Sequence, residues 1–427
     1  MPRYPTLSAL IAAAVPANAL AQLAAPYLLA DRTNDAISVV RDANGSGAIE
    51  ELSEHAIWFN AANGAGTLGP QNPTALVTCY TCSEYGYTIM GDQLNRAVYV
   101  LRGDPYGLSA QGLGDSLVAA DATNASGVSF AFPTGVAFDP QGRLHVVNAG
   151  NASGNDGIYR LVDLNGDGDF QDAGEIRDYV TTGAFGAGNG PYSPQEIVFD
   201  SAGVGYLYNS SSGLHGIFRF EDLNANGRAD DAGEFTPWFD STNASGVAVS
   251  AGFALEPDRV RPRALYKLQI ASGGVDQLIR AQDVNNDGDA NDADEAGIVW
   301  QTAETGFSGI DVYCTISGRV RVTDNTGKRV ITLSDIDGDG LFVSAGERTD
   351  FYAGATLMGD IRQIAALPCL GDLDFDFSIG LGDLTRMLSS YGSASGATYE
   401  NGDLDGDGDV DLSDLAGLLA IFGQTCE

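Results

Sequence analysis

The sequence predicts a mainly β chain: a six-bladed β-propeller over residues 22–368, followed by a small all-α domain over residues 369–427. Three observations predict it. A unit of about 60 residues, with four strand-like segments, recurs along the chain. The strand missing from the first unit reappears after the last one. Beyond that strand, a loop-and-helix pattern is duplicated 31 residues apart.

Residues 1–21 read as a signal peptide. Arg3 supplies the positive start, Leu7 to Val15 is an apolar run too short to span a bilayer, and Ala19-Leu20-Ala21 offers small residues at the cleavage site, so Gln22 is the expected mature start. The chain is therefore expected to be secreted, extracellular or at the cell surface, where disulfides persist. No later segment has the length and apolarity of a membrane span. The 57 acidic residues outnumber the 22 Lys and Arg, for a formal charge of −35. Such a surface repels nucleic acid and anionic membranes. It also needs cations, because so many carboxylates repel one another.

Within each unit the order of segments is the same. Pro133 to Asp139 and Pro194 to Asp200 are short apolar strands ending at a turn. Leu144 to Asn148 and Gly205 to Asn209 are second strands, and Ile158 to Val162 and Ile217 to Phe220 are third strands. An acidic segment follows, then a fourth strand such as Glu175 to Val180. The acidic segments start at Asp42, Asp163, Asp222, Asp283 and Asp335. The gap between the first two is twice the usual step, so a unit near residue 102 lacks its acidic segment, with Gly103-Asp104-Pro105 in its place. The first unit begins at its second strand, from Pro26 to Ala30, and Ile361 to Leu367 supplies the missing first strand. One or two β-sandwiches are the competing architecture, but a 60-residue unit fits a decorated blade better; five or seven blades are the alternatives to six. The pattern resembles six-bladed NHL-type propellers over some 340 residues.

The acidic segments have the residue types of calcium loops. Calcium takes six to eight hard oxygens, and an EF-hand-type loop offers side chains at positions 1, 3 and 5, a carbonyl at 7 and a closing carboxylate, with Gly at 6 to reverse the backbone. The expected ligand sets are Asp163, Asn165, Asp167, Asp169 and Glu175; Asp283, Asn285, Asp287, Asp289 and Glu295; and Asp335, Asp337, Asp339, Leu341 and Glu347. Weaker copies are Asp222, Asn224, Asn226, Arg228 and Glu234, and Asp42, Asn44, Ser46 and Glu54. In all five the closing Glu stands at position 13 rather than 12. Asp172, at position 10, is a further possible ligand. An Asn-Gly or Asp-Gly hairpin turn that binds nothing is the alternative.

The C-terminal domain carries the same chemistry at the usual spacing. Asp403, Asp405, Asp407, Asp409 and Asp414 hold positions 1, 3, 5, 7 and 12, and Gly408 holds position 6. The first copy has Asp372, Asp374, Asp376, Ser378 and Asp383, with Phe377 in place of the position-6 Gly, so its turn is expected to be strained or altered. Each loop precedes one helix: Leu384, Met387, Leu388 and Tyr391 match Leu415, Leu418, Leu419 and Phe422, with Gly392 and Gly423 just past the ends. These apolar positions are expected in the core. Two loop-then-helix units resemble a type I dockerin, as in secreted planctomycete-type proteins. The resemblance implies bound Ca2+ and a cohesin-like or cell-surface partner read by loop positions 10 and 11, here Leu381 and Gly382, then Leu412 and Ser413. Those lack the polar pair of cellulosomal dockerins.

Cys369 and Cys426 bracket this domain, and a bridge between them would close its ends. Cys79 and Cys82 form a local CxxC, read as a disulfide for want of a second metal-binding pair. Cys314 is left over as a buried thiol. Of the three histidines, His55, His145 and His215, His145 reads as a packed core residue and His215 lies in a turn. No nucleophile elbow, zinc-protease motif or phosphate loop is present. The sequence therefore supports a non-catalytic calcium-stiffened scaffold that presents loops to a glycan or protein. The alternative is a secreted carbohydrate-active enzyme, of glycosidase, lactonase or sugar-dehydrogenase type. A lactonase-like propeller would carry one Ca2+ in the central channel, held by Glu and Asn from several blades; that cluster would favour the enzyme, and a channel lined by small or apolar groups the scaffold. The sequons at Asn124, Asn151, Asn209 and Asn243 read as turn chemistry.

Overall fold

The computed structural model describes residues 25–42, 46–49, 52–62, 69–79, 87–102, 116–149, 156–181, 193–211, 215–353, 358–367, 369–374, 376–397, 399–404 and 408–426. The signal-peptide segment, Asn44, Cys82, the 103–105 turn, Asn151, Asp405 and Asp407 lie outside these residues, as does the side chain of Cys79.

Twenty-four strands among the described residues form six four-stranded antiparallel sheets. The first holds β1 (Tyr27–Asp31), β2 (Ala36–Val40) and β3 (His55–Phe59). The second is β4 (Pro73–Cys79), β5 (Tyr87–Asp92), β6 (Ala97–Leu101) and β7 (Ser116–Ala120). The third is β8 (Pro133–Phe138), β9 (Leu144–Asn148), β10 (Gly157–Leu161) and β11 (Ile176–Thr181). The fourth is β12 (Pro194–Phe199), β13 (Gly205–Asn209), β14 (Gly216–Phe220) and β15 (Phe235–Phe239). The fifth is β16 (Gly252–Pro257), β17 (Ala264–Ala271), β18 (Val275–Gln282) and β19 (Ala296–Thr302). The sixth is β20 (Gly309–Cys314), β21 (Val320–Asp324), β22 (Arg329–Leu333) and β23 (Arg348–Ala353). The last strand, β24 (Ile361–Ala366), pairs with β1 and completes the first sheet, with Tyr27 opposite Ala366 and Leu29 opposite Ile364. This is the six-bladed propeller and the strand closure expected from the sequence.

The innermost strands β4, β8, β12, β16, β20 and β24 each contact the next around the ring, and β24 contacts β4. In every blade the pairing of the innermost strand slips near its start, as between Pro133 and Gly135 or Pro194 and Glu196. Such bulges re-aim side chains, here toward the centre of the ring. The apolar core lies between adjacent blades. Val98 and Val100 of the second blade share one cluster with Val136 and Val146 of the third, and Tyr208 of the fourth shares another with Leu265 and Ile279 of the fifth. Trp58, Trp238 and Trp300 stand near the ends of outer strands β3, β15 and β19 and are almost wholly buried. Each contributes about 1.5–3 kcal/mol by leaving water, which a blade standing alone would forgo.

Two compact units divide the chain. One comprises Tyr27–Val40 and Ile49–Leu367, and the other Met1–Pro26, Arg41–Ala48 and Pro368–Glu427. The C-terminal part holds helices α1 (Leu381–Ser390) and α2 (Leu412–Ala420). Cys369 and Cys426 are bonded. Ile379 N donates to Gln424 O and Cys426 N to Phe377 O, so the end of the segment lies along the first loop. Cys314 is a free, buried thiol, as expected.

Candidate functional site

The seven acidic loops share one hydrogen-bond scheme. In each, the carboxylate of the first Asp accepts the N–H of position 6, from Gly47, Gly168, Gly227, Gly288, Gly340, Phe377 or Gly408, at 2.7–3.1 Å. Its other oxygen accepts from position 4 or 5 in six of them, for example Gly166, Asn226 and Asp376. Position 6 has a positive φ throughout. That suits Gly, and Phe377 adopts it too, with φ 63°. The turn at Phe377 therefore keeps the geometry of the other loops and is not altered; what remains of the expectation is strain, since a residue with a Cβ is held in the left-handed region.

The closing carboxylates brace the loop backbone. Glu175 accepts Leu164 N at 2.9 Å and Asp172 N at 3.0 Å. Glu234, Glu295 and Glu347 repeat this with positions 2 and 10 of their own loops. Asp383 and Asp414 do the same at position 12, to positions 2 and 9. The one-residue offset of the blade loops thus preserves the brace: both acceptor and partner move by one. Glu175, Glu347, Asp383 and Asp414 are at most 1% exposed. In the C-terminal part these carboxylates also cap α1 and α2, whose free N–H groups favour an acidic residue in the first turn.

Position 10 completes the ring of oxygens. Asp172, Asp231 and Asp292 each accept the side-chain amide of the position-3 Asn at 2.5–2.8 Å, and Ser344 donates to Asp337 at 2.7 Å. Three groups of carboxylates lie within 4.8 Å of one another: Asp335, Asp337 and Asp339; Asp372, Asp374 and Asp383; and Asp409, Asp411 and Asp414. Burial, with Asp383 and Asp376 nearby, pushes the Asp372 carboxyl up to about 7. Burial likewise raises Asp374, Asp169 and Asp289. Charges crowded in this way favour either a proton or a cation. Arg228, at position 7 of its loop, turns its guanidinium to Asp230 and holds that carboxyl down to about 2.

The blade loops are also joints. The position-8 N–H of each donates to the outermost strand of the preceding blade: Ile49 to Phe351, Phe170 to Ala119, Ala229 to Tyr179, Ala290 to Trp238 and Phe342 to Val299, at 2.6–2.8 Å. Arg102 and Arg280 reach from the preceding blade to the position-6 carbonyls of Gly168 and Gly340. The repeated Asn-Ala-Ser-Gly turns dock on the same loops. Ser126 Oγ donates to Asp172 O and accepts Gly174 N and Ile176 N, and Ser245 Oγ donates to Asp292 O and accepts Ala296 N. The side-chain amides of Asn124 and Asn243 each donate to two backbone carbonyls, which is the turn chemistry expected of those sequons.

A second feature lies on the propeller axis. A cavity of about 240 Å³ is lined by one bulged residue from each innermost strand: Thr74, Thr134, Gln195, Phe253, Ile310 and Arg362. Next along these strands stand Glu196, Asp311 and Gln363, where the other blades have Ala75, Gly135 and Ala254. Gln363 Nε2 donates to Glu196 at 3.3 Å, and Ile364 N donates to Asp311 at 2.8 Å. Burial, and then Asp311, raises the Glu196 carboxyl well above its ordinary value. Burial pushes Asp311, and Glu256 on the neighbouring strand, up to about 7. The sequence reading missed this group. Its signal was an acidic residue in PQEIVF and GIDVYC at the point where the other first strands carry small residues.

His145 is fully buried between Tyr179 and Phe199, and burial pushes it down to about 3. His55 stacks on Tyr352. The helix residues expected in the core divide. Met387 and Leu418 are buried, but Leu388, Tyr391, Leu419 and Phe422 are exposed, with Leu381 and Leu412. Two short helices beside two loops have too little volume to cover all those positions, so one apolar face of each stays open.

No family model and no curated protein matches this chain. Among solved structures, it is similar to a nidogen/laminin complex (11% identity, 80% of this chain and 97% of the other, TM-score 0.49). It is also similar to a putative 6-phosphogluconolactonase from Bacteroides fragilis (13%, 81% and 98%, TM-score 0.48). A third is the PQQ-bound aldose sugar dehydrogenase of Streptomyces coelicolor (13%, 69% and 84%, TM-score 0.46). These are likenesses of backbone arrangement alone. No helix of the described residues is long and apolar enough to cross a membrane.

Proposed function

We propose that this is a secreted Ca2+-binding propeller in which metal in the acidic loops rigidifies the ring, with a dockerin-like C-terminal domain as an attachment module. One observation carries the reading: in seven loops, five in the blades and two in the C-terminal part, the carboxylate of the first Asp accepts the position-6 N–H, so that each loop closes around its own acidic side chain. The residues present fit a hard divalent cation, because every acidic loop offers carboxylate, amide or hydroxyl oxygens and none offers sulfur or imidazole. Bound calcium would supply charge neutralisation. The exposed apolar faces of α1 and α2 support docking of a cohesin-like or cell-surface protein. The test is elemental analysis of protein purified in millimolar Ca2+, with calorimetry before and after chelation. The reading requires several ions per chain and a lower melting temperature without them. Metal-free protein with an unchanged trace would refute it.

A second reading, a secreted carbohydrate-active enzyme, is favoured by the axial Glu196–Asp311 group. Buried carboxyls raised toward neutrality are suited to proton transfer. The channel holds Glu196, Asp311 and Gln363 in place of the Glu and Asn ligands of a lactonase-like calcium site, so this reading rests on the two carboxyls alone. Screening of Glu196→Gln against wild type for hydrolysis of sugar lactones and aryl glycosides tests it, and absence of turnover in both would reject it.

A further inference from the structure

The axial cavity carries a charge pattern that the calcium reading does not use. Two guanidinium groups line it, Arg32 and Arg362, in a chain with 22 basic residues against 57 acidic ones. They share a single carboxylate: Asp360 receives Arg32 Nε at 2.7 Å and Arg362 Nε at 3.0 Å. Asp360 is also held by Asn325 Nδ2 at 2.8 Å. Each arginine thus spends its Nε on Asp360, and its terminal nitrogens have no partner among the described residues. The Arg362 side chain is 16% exposed, so its charge is largely out of water. Burial lowers its pKa, and the neighbouring Arg32 does too, against the pull of Asp360. Beneath, burial favours protons on Glu196 and Asp311, so the floor does not cancel the excess positive charge.

The rest of the lining is of two kinds. Thr74 and Thr134 hydroxyls are fixed by donation to Pro133 O and Pro194 O, and Gln195 is fixed by donation to Ser193 Oγ at 2.7 Å. Phe132 and Phe253 add aromatic faces. Fixed hydroxyl and amide groups beside apolar faces suit a ring that bears hydroxyls. Paired guanidinium nitrogens suit a carboxylate, which they bind bidentately. The volume, about 240 Å³, admits one such ring.

We propose that the axial cavity binds a hydroxylated monoanion of the hexuronate class, with its carboxylate on Arg362 and Arg32. The source is either a free hexuronate or the end of an acidic polysaccharide. The site goes beyond the calcium reading and does not require turnover.

The experiment is titration calorimetry of the full chain in Ca2+ with D-galacturonate, D-galactose and a short oligogalacturonate. Galacturonate should bind at least about tenfold more tightly than galactose, the worth of a charge-assisted contact. Arg362→Gln and, separately, Arg32→Gln should remove that preference, and Phe253→Ala should weaken both sugars alike. Thermal melts of each variant establish that it is folded, and the more exposed Arg32 serves if Arg362→Gln does not fold. Binding of the oligomer as well as the monomer assigns the polymer end as source; binding of the monomer alone assigns the free acid. Equal binding of galacturonate and galactose, or no binding by folded wild type, overturns the proposal. Because wild type is measured with its metal content known, failure here leaves the calcium reading standing, and metal-free protein that still binds galacturonate would separate the two in the other direction.

Discussion

Glu347 is expected to act on stability independently of any metal, whereas Asp337 is expected to act only through it. Glu347 is 1% exposed, and its two oxygens accept Ile336 N at 3.0 Å and Ser344 N at 2.7 Å. Glu347→Gln keeps one acceptor oxygen, now neutral, and turns an NH2 group toward the other backbone N–H. One bond to a charged group is lost and the second is reduced to an ordinary one, a cost of about 3 kcal/mol in all. For a propeller-sized domain this lowers the melting temperature by roughly 4 °C. Asp337, by contrast, is exposed and stands in the ring of oxygens with Asp335 and Asp339. Asp337→Asn keeps an oxygen that can accept from Ser344 Oγ or Asp339 N and should leave the metal-free protein as stable as wild type or slightly less so, while reducing the gain in melting temperature on adding Ca2+. The assay is differential scanning calorimetry of the propeller transition, with chelator and with 5–10 mM Ca2+ (about the range that fills extracellular sites). If Glu347→Gln melted like wild type in chelator, the brace would have no energetic weight and the account of the position-13 offset would fail.

Three further outcomes follow from other parts of the molecule. Reduction of Cys369–Cys426, 57 residues apart in sequence, should destabilise the C-terminal segment by about 4 kcal/mol on the chain-entropy estimate, seen as loss of its helical circular dichroism at a lower temperature. Ser126→Ala removes a hydroxyl that serves three backbone groups of the loop from Asp163 and should cost about 1–2 kcal/mol, measured by urea unfolding; an unchanged midpoint would mean that the Asn-Ala-Ser-Gly turn is not a latch. For Asp311 the folded carboxyl is raised from 3.8 to about 7, so the native state holds the extra proton. Its contribution is therefore complete only below the unfolded value of 3.8 and is lost as the pH rises from there to about 7; Asp311→Asn should flatten that part of the melting-temperature profile relative to wild type.

The architecture was legible because blades repeat. Strand segments such as Leu144 to Asn148 and Gly205 to Asn209 carry the same pattern at the same place in successive units, and the displaced strand from Ile361 announced the closure. Acidic loops were legible as residue types but not as joints: the inward role of Asp172 and the bonds from position 8 to the preceding blade depend on neighbours that sequence spacing does not reveal. Glu196 and Asp311 were obscured for a related reason. Among 57 acidic residues, these two carboxylates carry no signal until the ring brings their strands together. Leu388 and Phe422 were misplaced because helical periodicity specifies which residues share a face, while the number of partners available to cover that face is set by the size of the domain.

The strand that completes the first blade has a consequence for how the molecule is made. Tyr27 pairs with Ala366, so β1, the first strand of this ring to be made, waits for nearly the whole ring before it gains its partner. Throughout that interval β1 presents an unpaired edge, the feature most prone to join another chain. A nascent chain that stalls before Ile361 has five blades and a frayed sixth, and it cannot shut. Completion is therefore a late, all-or-nothing step governed by synthesis of the final strand, and a chaperone that shields the first hairpin would have its greatest effect on yield.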